Sequence, residues 1–472
     1  MATISLLTFS DGRDFVAADI DAFCRQKEDL LRRAFEEAGH TVVSGTQPIT
    51  SNEIAVTEAR RAAATGADLT VFHYPVWAFP HFTMLAATAT TGPLLLASTI
   101  DPVQPGMVGL LAAGGALDQI GRQHTRITGD AADPAVRRRL NSVVTASAAV
   151  SGLRGSTFGR IGGRPMGMYT AASSPEVWID QFGVDVEEID QWEIVRRAEL
   201  VDEAKVAAAR SWLEKHAAGV HYDGDKLTPE TLGRQIRSYY AVRELVDEWR
   251  LDFAGIKGQP ELTNHFATMD VTEAFLNDPY DWDGPKDTFV CSTESDMDGA
   301  LTMQIMKLLS GLPVLFADVR HYHGDLDVWD LANSGQHATW YAARSDDPAE
   351  NLARTHLFPE VFFFPAGGAS VHHIAAPGEA TFARLSRLNH RYRLQLTRGR
   401  FVDLGDETHQ RLARASTYEW PHAFTRFDAP AEVFLDRFGA NHVHAIPGDW
   451  TEELRAVCRL LDIDVDDLEG AR

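Results

Sequence analysis

The sequence predicts an α/β protein: two doubly wound α/β domains followed by a β-rich C-terminal domain. Three observations predict it. Short apolar runs alternate with amphipathic stretches of helical spacing through the first 150 residues, as in a doubly wound sheet. Between 151 and 315 long helical segments lead into continuous apolar runs, which is how strands covered on both faces read. After 316 the helical spacing thins and Gly and Pro separate strand-like runs. At 472 residues the chain exceeds one ordinary core, so divisions are expected at 1–150, 151–315 and 316–472.

In the first part, 4–9 reads as a strand and 19–38 as an amphipathic helix ending near Gly39. Strand-like 42–43, 69–73 and 94–98 follow. Two loops after strands hold unusual residues: Ser10-Asp11-Gly12-Arg13 and His73-Tyr74-Pro75-Val76-Trp77. The glycine-rich stretch 106–115 matches neither GxGxxG nor a phosphate loop, so no nucleotide is inferred. The second part opens with a glycine-rich turn region, 152–167. Helices are expected at 193–216 and 229–251, and a strand at 253–259. A strand at 288–292, a helix at 296–309 and a strand at 312–319 then read as one βαβ unit. In the third part, strands are expected at 362–364, 391–396 and 443–446.

A formal charge of −23 argues against a nucleic-acid partner. Three cysteines without a CxxC pair fit a reducing cytoplasm. The N-terminus lacks a basic region followed by an apolar core, so it does not read as a signal peptide. No apolar run approaches a membrane span.

Two acids stand where the pattern does not need them. Glu294 lies between the expected strand and helix, and Asp318 interrupts the apolar run of the next strand. Each has a structural explanation: a helix N-terminal acid for Glu294, a salt bridge to Arg320 for Asp318. Together, on consecutive strands, they point to a site, since ligands bind at carboxyl ends of strands in open sheets and a buried carboxylate needs a partner. His442 and His444 are read as pointing to opposite faces of their strand, so only one joins them. Two carboxylates and one imidazole suit Mn²⁺, Mg²⁺ or Co²⁺ better than structural Zn²⁺.

The combination TESDMDGALTMQIMKLLSG, FADVR, WP and GANH resembles the L-fucose isomerase family and its L-arabinose isomerase relatives. The resemblance is patchy in the first domain and good from about Gly255 onward. It implies a three-domain subunit holding Mn²⁺ through Glu294, Asp318 and His442, with His337 in the place of a further histidine of the arabinose branch. It also implies sugar contacts at Arg13, Trp420 and Asn441, and a loop tryptophan, Trp77, that reaches a neighbouring subunit, hence a homo-oligomer. Two positions depart from the family pattern: Lys257 stands for a sugar-binding Gln and Ala369 for a Tyr, which points away from L-fucose itself.

An aldose–ketose isomerase moves a proton between C2 and C1 of an open-chain sugar. Glu294 and Asp318 are expected as its acid–base pair, beside a cation that stabilises the enediolate. Arg384, Arg387, Arg391, Arg393, Arg398 and Arg400 crowd one segment. Arg391 and Arg393 would share a strand face able to meet an anion, so an anionic sugar such as sulfoquinovose, converted to sulfofructose, is one alternative. A non-catalytic sugar-binding protein on the same scaffold is the other.

Overall fold

Alternating apolar strands and amphipathic helices place five parallel strands at the start of the chain: Thr3–Thr8, Thr41–Ser44, Leu69–Tyr74, Leu94–Ser98 and Thr125–Thr128, in the order second, first, third, fourth, fifth. The computed structural model describes residues 1–334, 337–361 and 363–470. Side chains on the two sheet faces enter two separate cores. One gathers Leu7, Phe72 and Leu96; the other gathers Leu6, Val71 and Leu95. Both faces are covered, which is the doubly wound arrangement the sequence predicts. Two of the glycines at 106–115 serve packing: a Cβ at Gly106 would stand 2.4 Å from the Tyr74 carbonyl oxygen, and one at Gly109 2.9 Å from that of Val76. Residues 1–152 and 452–462 form one compact unit, with Ser142 donating to Glu453 Oε1 at 2.7 Å within it.

Residues 153–451 and 463–472 form the other unit. Its first sheet is parallel and four-stranded: Cys291–Thr293, Phe253–Ile256, Thr157–Ile161 and Asp185–Ile189, in that order. The strand Thr157–Ile161 lies inside the stretch expected to be a glycine-rich turn. The helix expected over 193–216 is two, Trp192–Ala198 and Glu203–His216. Asp202 caps the second by accepting from the Ala204 N–H, a side chain–backbone bond that favours helix starts over interiors.

The expected βαβ unit does not form. Its helix, Met297–Ser310, links two different sheets. The strand after it, Leu315–His323, pairs antiparallel with Val328–Ala332 and with His442–Pro447. The apolar run at its start is buried on both faces for another reason: one face lines a β-barrel core and the other lies under that helix. Six strands close the barrel, because Gly378–Leu388 at one end of the order also pairs with Arg391–Phe401. Leu315, Ala317, Val443 and Ala445 point into its core with Phe382 and Phe401. Their neighbours Phe316, Asp318, His442 and His444 therefore face outward. The expectation that the two histidines oppose one another is incorrect, since residues two apart on a strand share a face. The Phe316 ring touches both, at 4.5 and 4.8 Å between centroids. The strand expected at 362–364 is also absent at 363–364; Phe362 lies outside the described residues. No helix is long and apolar enough to cross a membrane among the described residues, and all three cysteines are free and buried.

The joint between the sheets is tight. A Cβ at Gly255 would fall 2.5 Å from Ser292 Oγ and 2.9 Å from Ser295 Cα. Gly255→Ala is expected to destabilise the fold by about 1–3 kcal/mol through overpacking. A urea midpoint equal to that of the wild type would contradict this packing.

Candidate active site

Glu294 follows the strand Cys291–Thr293 in a left-handed turn, with φ of 54° at Glu294 and 48° at Ser295. Such backbone costs about 1–3 kcal/mol per residue outside glycine. Two bonds hold it: the Ser295 N–H donates to the Ile256 carbonyl and the Asp296 N–H to that of Thr293, both at 3.0 Å. The turn throws the Glu294 side chain over the outer face of the barrel. There Asp318 and His442 stand opposite each other in register on adjacent strands.

His442 Nε2 lies 3.0 Å from Glu294 Oε2 and 3.4 Å from Asp318 Oδ1. It is buried, yet makes no aligned hydrogen bond. Its other nitrogen, Nδ1, lies 2.6 Å from Asp296 Oδ2. Asp318 accepts from Asn333 at 2.8 Å and from Asn441 at 3.2 Å. Burial pushes the Asp318 carboxyl above its ordinary range, and Glu294 adds to this against the pull of His442 and the two amides. Burial alone would drive His442 down, but Asp296, Glu294 and Asp318 outweigh it and raise it to about 10. Burial would likewise raise Asp296; Arg384 and His442 reverse this and hold it well below the usual carboxylate range.

Among the described residues, no three His, Cys, Asp or Glu side chains are arranged to hold a metal ion as they stand. His442 Nε2 nonetheless stands within 3.0 and 3.4 Å of the two carboxylates. The donors themselves suit a hard divalent ion. Two carboxylates and one neutral imidazole with open sides are an O,O,N set. Neighbouring ligand atoms of an octahedral ion with ~2.1 Å bonds lie about 3 Å apart, close to the separations from His442 Nε2. The residues therefore fit a cation held through the neutral form of His442.

The remaining expected residues divide. Asn441 touches Asp318 directly. Lys257 follows the strand Phe253–Ile256 at the same end as Glu294, since Ile256 is in register with Thr293; its Nζ is bonded to Glu261 at 2.8 Å. Trp420 is buried, donates to Glu360 Oε1 at 3.0 Å and lies under the Arg320 guanidinium at 5.1 Å. Arg320 thus makes no pair with Asp318; it donates to Thr417 Oγ1 instead. His337 is fully buried, its ring 5.9 Å from that of His373, and burial drives it down to about 3. Gly335 and Gln336 beside it lie outside the described residues. Arg391 is exposed, 3.9 Å from Asp464, and is not part of the cluster. Arg13 and Trp77 belong to the first unit, where Arg13 is paired with Asp11 at 2.5 Å and Trp77 packs edge-on against Phe79.

Sequence reasoning missed two sets of groups. Asp296 and Arg384 flank His442, although the helix-start position of Asp296 in TESDMDG was a legible signal. Asp270, Glu273 and Glu360 are buried acids. Burial raises all three; Asp270 moves to about 6, and it adds to the rise of Glu273 and Glu360. Two acids three apart on the fully buried helix Asp270–Asn277 were the available signal.

Comparison with known proteins agrees with the geometry. Three family models match in chain order: the first N-terminal domain of L-fucose isomerase over 1–155, the second over 249–311 and the C-terminal domain over 331–469. The L-fucose isomerases of Escherichia coli strains SMS-3-5 and 55989 are each 25% identical over 499 residues, covering 88% of this chain and 82% of theirs. With all three domains of the family matched along its length, the chain belongs to the L-fucose isomerase family and is an aldose–ketose isomerase.

Proposed function

We propose that the protein interconverts an open-chain aldose and its ketose with Glu294 and Asp318 as the acid–base pair, beside a divalent cation, Mn²⁺ first among candidates, held by Glu294, Asp318 and His442. One observation carries this: carboxylates from two separate sheets converge on a single imidazole nitrogen that makes no aligned hydrogen bond. A buried imidazole so placed between two half-buried carboxylates is costly unless it binds something.

When bound, the cation would supply positive charge at O1 and O2 of the sugar. The chain's own groups move the protons. One carboxylate takes the proton from C2 and returns it to C1; the other carries the hydroxyl proton from O2 to O1. The upward shift of Asp318 suits a group that must both accept and release a proton. Asn333 and Asn441 hold the Asp318 oxygens in place. Trp420, fixed by Glu360, and Lys257 would line the sugar side. The same reading keeps the division of the chain near 150 and 315 into three working parts, and a cytoplasmic location.

The related proteins act, by name, on L-fucose. A neutral aldose of that kind is the proposed substrate class. Position 369 supplies no hydroxyl, being an alanine, and it is buried with both backbone groups bonded to the Gln235 amide. Four of the six arginines behind the anionic alternative are paired with acids, which weighs toward the neutral class. Arg384 pairs with Asp296, Arg387 with Asp298, Arg393 with Asp466 and Arg398 with Glu469. A homo-oligomer is part of the proposal. On the first unit, Ile100, Val103, Met107, Val108 and Leu111 are exposed together in one stretch of chain, and exposed apolar surface of this kind suits a subunit contact.

Glu294→Gln and Asp318→Asn are each expected to lower kcat by about 10²–10⁴-fold, while His442→Ala abolishes Mn²⁺ retention in elemental analysis. Retention of both metal and turnover by Asp318→Asn would refute the assignment. In a panel of L-fucose, D- and L-arabinose, L-rhamnose, sulfoquinovose and glucose 6-phosphate with Mn²⁺, neutral sugars should be preferred and Arg391→Ala should change nothing. Best turnover of sulfoquinovose, lost in Arg391→Ala, would restore the anionic reading. Sedimentation should find an oligomer; a fully active monomer would sink that part.

A further inference from the structure

We infer that Asp296, clamped by Arg384, is the positioning residue that sets the tautomer and direction of His442, so that Nε2 faces Glu294 and Asp318 with a free lone pair. The inference rests on the metal reading above and adds to it two residues that touch neither the proposed cation nor the sugar.

The argument starts from hydrogen-bond chemistry. An ionised carboxylate only accepts, so at 2.6 Å the bond between Asp296 Oδ2 and His442 Nδ1 carries its proton on Nδ1. In the neutral ring the other nitrogen, Nε2, is then left without a proton, which is the form that binds a cation. Asp296 can impose this only if it stays charged and still. Its side chain is fully buried, and a bare buried carboxylate would neutralise. Arg384, itself 1% exposed, prevents that with two bonds, Nη1 to Oδ2 at 2.5 Å and Nη2 to Oδ1 at 3.0 Å. Oδ1 also accepts the Gly299 N–H at 3.0 Å, capping the helix Met297–Ser310. Arg384 reaches His444 Nε2 at 3.2 Å as well, which occupies the one neighbouring imidazole on the same face and leaves His442 alone to serve the site.

Asp296→Asn tests this. With its oxygen still capping the helix, the amide turns an N–H toward His442 Nδ1, and the ring answers by moving its own proton to Nε2. The full-length protein, stripped of metal by chelation, is titrated with Mn²⁺ by calorimetry. Asp296→Asn should bind Mn²⁺ about 10–100-fold more weakly than the wild type, and the visible bands of the Co²⁺-loaded protein should lose their imidazole contribution. Arg384→Lys keeps the charge, loses the fork, and should fall between the two; it also serves should the asparagine variant fail to fold. Wild-type Mn²⁺ affinity and an unchanged Co²⁺ spectrum in a folded Asp296→Asn or Arg384→Lys protein would overturn the inference while leaving the metal reading intact. No Mn²⁺ binding by the wild type would instead overturn the metal reading, and this inference with it.

Discussion

The buried pair between Asp296 and Arg384 is the interaction on which the second unit depends. It joins three things that the chain builds separately: the end of the four-stranded sheet, the start of the helix that leaves it, and the outer face of the barrel. One carboxylate caps the helix, meets the guanidinium and accepts from His442. Removing one partner of a fully buried pair costs about 3–5 kcal/mol, because the other charge is stranded. A well-packed apolar pair would hold the seam as firmly, so stability alone does not explain why charges stand there. Their direction does: hydrogen bonds orient what they hold, whereas apolar contacts leave a ring free to turn.

The same seam holds strained backbone. Two successive left-handed residues, Glu294 and Ser295, are kept by bonds to Ile256 and Thr293 and by the absence of a side chain at Gly255. Strain that the surroundings maintain tends to lie where a side chain must be aimed. Here it carries Glu294 across from one sheet to residues of another. Neither sheet could gather both carboxylates by itself: one supplies the acid at a strand end, the other supplies Asp318 and His442 in register.

Much of this was legible in the amino-acid order, and the rest was not for definable reasons. Four strands of the first sheet were readable because they are short apolar runs separated by helical spacing; the fifth, Thr125–Thr128, sets Arg126 and Ile127 between threonines and gave no such run. That Glu294 and Asp318 stand out was readable because ionisable residues interrupt or end apolar runs; the pattern left His442 and His444 open, and only the family resemblance pointed to His442, which the structure places beside both carboxylates. The βαβ unit was misread because a continuous apolar run reports burial on two faces without saying what buries them; a helix and a barrel core produce the same string as two helices. The strand Thr157–Ile161 hid among glycines that serve the turns on either side. Arg384 was visible only as one arginine among six, since a surplus of acids elsewhere in the chain gives no hint of which acid each will meet.

The segment 452–462 belongs to the first unit, although about 300 residues of the other unit separate it from residue 152. Its helix, Thr451–Leu461, buries Leu454, Val457, Cys458 and Leu461. At ribosomal rates of about 5–20 residues per second, the N-terminal sheet waits roughly 15–60 s for this last piece. During that interval the nascent chain carries an unfinished domain. Completion of the first unit is thereby tied to synthesis of most of the other, and a chain cut short before residue 452 leaves both units incomplete.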